Sequence, residues 1–212
     1  MNLSRKLPLA VGFALITGLI PYQAFARPNL ILEILPGSAL FSPRMKGFSV
    51  SRAGLTDTIG SSASYAPFQK IGVGFETPSG SIDLTAGAGL MINDGLFGSI
   101  LTGDAAWRIK VGRTASLAPH IGVVGLMPRW IGLGHSDPRD VSIENGVGVL
   151  PGVTFSVGKM IGFIASANYL IMSPLKVTTA QGWSANRNTI DMSGFLLQVS
   201  VVCRFFQSAS QP

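Results

Sequence analysis

Charge is scarce in this chain. Asp, Glu, Lys and Arg make up 12% of its 212 residues, about half the share near 25% usual for soluble domains. Intrinsic disorder needs high charge and few apolar residues, whereas 47% of these residues are hydrophobic and the mean hydropathy is +0.42. The same composition excludes a coiled coil or long surface helix, which would be rich in Ala, Glu, Lys and Leu. Cysteine is all but missing: Cys203 stands alone, so no internal disulfide can staple the fold. The two histidines, His120 and His135, make no metal-ligand spacing with it, and neither a metal nor a cofactor is expected. Long apolar runs are missing too. Beyond the first 21 residues none reaches 18 residues, which argues against transmembrane helices. A hydrophobic chain without such helices has to hide its apolar surface in another way.

The first 26 residues read as a secretory signal. Arg5 and Lys6 give a positive start, residues 7–20 are apolar, Pro21 and Tyr22 break the run, and Ala24-Phe25-Ala26 offers small residues for cleavage. The apolar stretch would span roughly 21 Å as a helix, short of a hydrocarbon core about 30 Å thick. Cleavage after Ala26 would leave one domain, residues 27–212, that remains net basic.

What is present in abundance is alternation. Eight segments, 29–41, 68–77, 81–92, 100–111, 116–130, 144–157, 160–175 and 190–206, carry apolar residues at every second position. In 81–92, Ile82, Leu84, Ala86, Ala88, Leu90 and Ile92 share one face, and Ser81, Asp83, Thr85, Gly87 and Gly89 lie on the other. Side chains alternate sides along a strand, so each segment predicts a strand with one apolar face and one polar or small face. Ordinary strands average about 5 to 6 residues, while a tilted membrane-spanning strand needs about 9 to 11. The lengths favour spanning strands over a soluble sandwich. The links are expected at 42–67, 78–80, 93–98, 112–115, 131–143, 158–159 and 176–189, the odd-numbered ones longer. Transmembrane barrels alternate in this way, with short periplasmic turns and longer extracellular loops.

Together, the signal, the eight alternating segments and the last one, 194–206, ending in Phe205-Phe206, resemble small outer-membrane β-barrels of Gram-negative bacteria. The comparison group is the OmpA transmembrane domain, OmpX and OmpW. The resemblance implies an all-β, eight-stranded antiparallel up-and-down barrel. It also implies export to the outer membrane, contact with outer-membrane lipid and lipopolysaccharide, and a C-terminal signal read by the barrel assembly machinery. A short tail, residues 207–212, follows the terminal aromatics.

Hydrocarbon offers no hydrogen bonds, so a spanning sheet must close on itself. Its apolar faces then meet lipid and its polar faces meet the lumen. This orientation sends Glu33, Glu76, Asp83, Asp104 and Glu144 inward, with Lys70, Arg108, Lys110, Arg204 and His120. Eight strands enclose a space just wide enough for side chains to fill. These charges are therefore expected to pair into a network that plugs the barrel. The inward glycines (Gly72, Gly74, Gly87, Gly89, Gly146, Gly148 and Gly152) leave room for long Lys and Arg side chains or for water. Water would make a narrow channel or a conduit for small hydrophobic solutes. Trp107 and Trp130 suit a membrane interface, and Trp183 falls in a loop.

Chemistry is thin. Neither G-x-S-x-G nor H-E-x-x-H occurs, and the glycines sit within strands instead of cradling a phosphate. A polar cluster around His135, Ser136, Asp137, Asp140 and Glu144 has the residue types of a serine hydrolase. Barrels resembling the lipid A deacylase PagL use such a trio, with one residue between His and Ser. Here His135 and Ser136 are adjacent and would face opposite ways in an extended chain. In the longer links, Arg44, Lys46, Arg52, Lys176 and Arg187 are candidates to contact lipopolysaccharide phosphates or other polyanions. Nucleic acid is not an expected partner after export. The leading functional expectation is a structural or adhesive barrel acting through its loops. A narrow channel and a lipid A hydrolase are the alternatives.

Overall fold

The computed structural model describes residues 28–77, 80–132 and 134–205. The expected signal peptide, Phe206 and the tail lie outside them. Eight long antiparallel strands wind in chain order: β1 (Pro28–Phe41), β2 (Phe68–Thr77), β3 (Gly80–Ile92), β4 (Leu96–Lys110), β5 (Ala115–Trp130), β6 (Gly146–Gly158), β7 (Ile161–Met172) and β8 (Gly194–Phe205). Each pairs with its neighbours in sequence, and β8 pairs back onto β1 from Leu30↔Phe205 to Phe41↔Phe195. The sheet is a closed barrel, which removes the free edges an open sheet would expose.

The wall is irregular near one seam. The β1 register slips between Ile34 and Gly37, around Pro36, which has no N–H to give the ladder. Beside it, Ala66 and Pro67 interrupt β2, and the short segment Ala63–Tyr65 takes over as the neighbour of β1. The Tyr65 hydroxyl donates to the Pro36 carbonyl at 2.7 Å and ties the two breaks together.

One end of the barrel carries tight turns at 111–114 and 159–160, beside the paired ends of β2 and β3 at Thr77↔Gly80; the other carries links at 42–67, 93–95, 131–145 and 173–193. The expected alternation of link lengths fails at one place. β4 begins at Leu96, so the third link is shorter than the fourth, not longer. The Asn93 amide donates to the Leu96 carbonyl at 2.8 Å, and Asn93-Asp94-Gly95 suffices to reverse the chain.

The long links fold over the barrel. The hairpin Ser49–Arg52 with Leu55–Thr58 pairs with Ser184–Ala185. Leu175–Thr179 pairs with Val141–Ile143 and with Thr189–Ile190. These two small sheets make a cap, and their inner faces bring Val50, Val141, Ile143, Val177 and Ile190 into a buried core. That core runs down into the loop-end half of the lumen, through Leu40, Met91, Leu96, Ile100, Leu126, Leu150, Leu170 and Leu196. Strands near the loop end are thus apolar on both faces: outward where the barrel has no partner, inward where the cap packs. Trp130 belongs to this core. It is 1% exposed and meets Phe48 edge to face at 5.9 Å. The expectation of an interfacial Trp130 is therefore corrected, because its position points it inward beneath the cap. Trp183 is buried in the cap, whereas Trp107 faces outward, 52% exposed.

The outward faces are those the alternation predicts. Val147, Ile161, Phe163, Phe195 and Val199 are among the exposed apolar side chains. They form a continuous belt from strand to strand.

Candidate functional site

In the turn-end half of the lumen the core gives way to charge. Lys70 on β2 places Nζ 2.9 Å from Asp104 Oδ2 on β4. Its ammonium also lies 5.5 Å from the centroid of the Phe68 ring. Arg108 grips Asp83, with Nε 3.0 Å from Oδ2 and Nη2 donating to Oδ1 at 3.2 Å. The Ser81 hydroxyl donates to the same carboxylate at 2.9 Å. At the mouth, Glu76 lies between Arg108 at 3.8 Å and the exposed Lys110 at 3.4 Å, and accepts from Asn29 Nδ2. The contacts of Lys70 with Asp104 and of Arg108 Nε with Asp83 lie off the hydrogen-bonding direction, so they act as ion pairs.

On the opposite wall the network is built of hydroxyls, amides and one imidazole. Thr154 Oγ1 lies 2.8 Å from Ser166 Oγ and 3.3 Å from His120 Nδ1; Ser116 and Ser156 hydroxyls are 2.7 Å apart. Asn168 donates to Gln198 Oε1 at 3.0 Å and to the Leu196 carbonyl at 3.2 Å. Arg204 is 4% exposed and, among the described residues, makes no ion pair within 4.0 Å. It and Glu33 line a cavity of about 40 Å³ with His120, Asp104 and Arg108. That space suits one or two waters bridging polar atoms left by the protein. The apolar core lies above it, on the cap side.

Two inward glycines stand against the same side chains. A Cβ at Gly122 would collide with the Asp104 carboxylate, and one at Gly87 would sit 2.8 Å from Lys70 Cγ. At these two positions the missing side chains make room for the ion pair, not for a water column.

The lumen thus holds Glu33, Lys70, Glu76, Asp83, Asp104, Arg108, His120 and Arg204, with Lys110 at its rim. Glu144 is different. It precedes β6 at the loop end, exposed, with its amide on the Lys176 carbonyl at 2.9 Å. Its place in the lumen network is corrected: β6 begins only at Gly146, so the alternation does not reach back to Glu144.

A closed antiparallel barrel of eight strands with a charged lumen and a loop cap can be compared with known proteins. No family model matches the chain, and no curated protein matches it in sequence. Among solved structures, the outer membrane protein OprG from Pseudomonas aeruginosa is similar with a TM-score of 0.52 at 9% identity, over 87% of this chain and 98% of that one. The fold is that of a small outer-membrane β-barrel. Neisserial surface protein A aligns at 12% identity over 84% of this chain and 96% of that one, TM-score 0.40. Ail, the attachment invasion locus protein of Yersinia pestis, aligns at 9% identity over 85% and 100%, TM-score 0.41. At these identities the likeness is one of fold, and it rests on the first of the three.

The barrel's cap contains the other expected site residues. Arg44 pairs with Asp191 at 2.9 Å while remaining largely exposed. Burial pushes the Asp191 carboxyl up, but the Ser193 amide, the Ser193 hydroxyl and Arg44 outweigh it and hold the group below the usual aspartate range. Lys46, Arg52 and Lys176 are exposed. Arg187 is engaged elsewhere: it donates to the carbonyls of Arg44 at 2.9 Å and Lys46 at 3.4 Å and lies 6.0 Å from the Phe48 ring centroid. It fastens the link 173–193 to the link 42–67.

The hydrolase trio is not assembled. The Ser136 hydroxyl donates to Asp57 and accepts from Trp130 Nε1 at 2.8 Å. Asp57 also accepts the Ser136 amide at 2.7 Å and the His135 amide at 3.3 Å. Among the described residues, no hydrogen bond joins the side chains of His135, Ser136 and Glu144. Asp57, buried in the cap, is the residue that sequence reasoning passed over. It lies in a polar link far from its partners along the chain, and nothing local marks it.

Proposed function

We propose that this chain is an integral outer-membrane barrel, exported by its N-terminal signal, with a closed lumen and a pre-formed loop cap as its contact surface. The outward belt supports residence in a bilayer. Val147 is 71% and Phe163 is 68% exposed, and a belt of this kind around a soluble protein would be an aggregation surface. In lipid the same belt is solvated and the closed hydrogen-bonded wall is required. The turn end then faces the periplasm and the cap faces outward.

The observation that carries the functional reading is the cap itself. Two small sheets, a buried core shared with the lumen, and the Asp57–Ser136 and Arg44–Asp191 contacts fix the long links in one arrangement. Pre-organised loops lose little freedom on binding. Arg44, Lys46, Arg52 and Lys176 present cations on this surface, matched to phosphates or sulfates of a polyanion such as lipopolysaccharide. The role is adhesion or structural bracing at the cell surface, not transport or acyl hydrolysis.

The test is retention of labelled lipopolysaccharide by the purified barrel, with heat-modifiable gel mobility confirming the fold. Replacing Arg44, Lys46, Arg52 and Lys176 by Ser is expected to abolish salt-sensitive retention while the mobility shift persists. Retention unchanged in that variant would reject the cap as the contact surface.

A further inference from the structure

The charges of the barrel are distributed unevenly along its axis. Of the acids, Glu33, Glu76, Asp83 and Asp104 line the lumen, and Asp57, Asp94, Asp137, Asp140, Glu144 and Asp191 lie at the cap end. The turns 111–114 and 159–160 carry no acid. They carry Arg113 and Lys159, both exposed. Glu76, the carboxylate at the lumen mouth, is already taken by Lys110 and Arg108.

The two turns are neighbours. The Gly158 amide donates to the Thr114 carbonyl at 2.9 Å, and Ala115 pairs with Val157. Exposed apolar side chains flank the cations within the same turns and at the strand end: Val111, Met160 and Ile161. Cations beside apolar side chains at the edge of an outward apolar belt suit the boundary between headgroups and acyl chains.

We propose that these adjoining turns bind the headgroup of an anionic phospholipid in the leaflet on the turn side, with Arg113 and Lys159 on its phosphate and Val111, Met160 and Ile161 against its upper acyl carbons. The site rests on the membrane reading given above and adds lipid selectivity to it. A zwitterionic lipid brings its own cation to the same place and gains less. Each cation near an anionic surface is expected to favour the charged lipid by roughly fivefold at low salt, and the pair by about thirtyfold.

The experiment refolds the full mature chain into phosphatidylcholine vesicles with and without phosphatidylglycerol. Heat-modifiable mobility checks the fold, and lipid co-purifying with the barrel is counted by native mass spectrometry. Phosphatidylglycerol is expected to be enriched over its share of the vesicle, and the enrichment to fall in high salt. It should vanish in the Arg113→Ser/Lys159→Ser variant and persist in Arg139→Ser, which alters the cap end. A folded barrel with no enrichment, or with enrichment untouched by the double variant, overturns the site and leaves the membrane reading standing. A chain that folds in neither vesicle removes both.

Discussion

Lys70 reaches over β3 to hold Asp104 at 2.9 Å, and both side chains are under 10% exposed. Removing one partner strands the other charge where neither water nor a second ion can fully replace it. Asp104→Ala is expected to destabilise the barrel by about 3 kcal/mol, whereas Lys70→Met/Asp104→Leu, which leaves no orphan charge, should recover most of the loss. Urea unfolding in lipid vesicles, followed by tryptophan fluorescence, reads the difference. Equal losses in the single and double variants would show that the pair is not the unit of stability.

Glycine position separates space-keeping from mere flexibility. A Cβ at Gly122 would meet the Asp104 carboxylate, while one at outward-facing Gly103 would meet only Val123 Cγ2 at 3.7 Å, an ordinary contact. Gly122→Ala should cost about 1–3 kcal/mol by crowding the ion pair, and Gly103→Ala should be close to neutral. The same urea titration distinguishes them.

Asp57 fastens the link 131–145 to the link 42–67 through two amides and one hydroxyl. Hydrogen bonds to a charged acceptor are worth about 1.5–3 kcal/mol each before coupling. Asp57→Ala should therefore loosen that link without opening the barrel. Faster hydrogen exchange across 134–145 and new tryptic cleavage at Arg139 are expected, with heat-modifiable mobility retained. Exchange unchanged in this variant would deny Asp57 its anchoring role.

Asp191 gives the cap a pH dependence whose sign follows from its environment. Its carboxyl is held below the usual range in the folded state. The stabilisation is therefore complete above the unfolded value near about 3.9 and lost as pH falls through the lower folded value. Exchange protection in the link 173–193 should stay level from neutrality down to about pH 5 and decline below about pH 4. Asp191→Asn should remove that decline. Because Arg44 is mostly exposed, the effect is local and small.

The barrel is legible in the sequence because outward-facing and lumen-facing positions alternate along the strands, with a slip at Pro36. Phe68–Thr77 matches its expected bounds, and Asp83, Asp104, Arg108 and Arg204 lie on the face expected of them. The cap was not legible. Its core joins Phe48 to Trp130 and Val50 to Ser184–Ala185 across links whose composition reads as ordinary polar loop. Trp130 departs from its expected interfacial place for that reason: alternation gives its face, but only the cap reveals that an apolar residue there is buried under protein. Glu144 lies off its expected face because the alternating pattern runs back past the start of β6 at Gly146. Arg187 resembles its neighbouring cations in sequence, and only its carbonyl partners set it apart.

A lumen closed by side chains, with an apolar core under the cap and paired charges beneath it, should carry no ions. Planar-bilayer recording of the refolded chain tests it most directly, with folding verified by gel mobility on the same preparation. Insertion without discrete conductance steps is expected. Reproducible single-channel steps from the folded barrel would contradict it and restore the narrow channel suggested by the inward glycines.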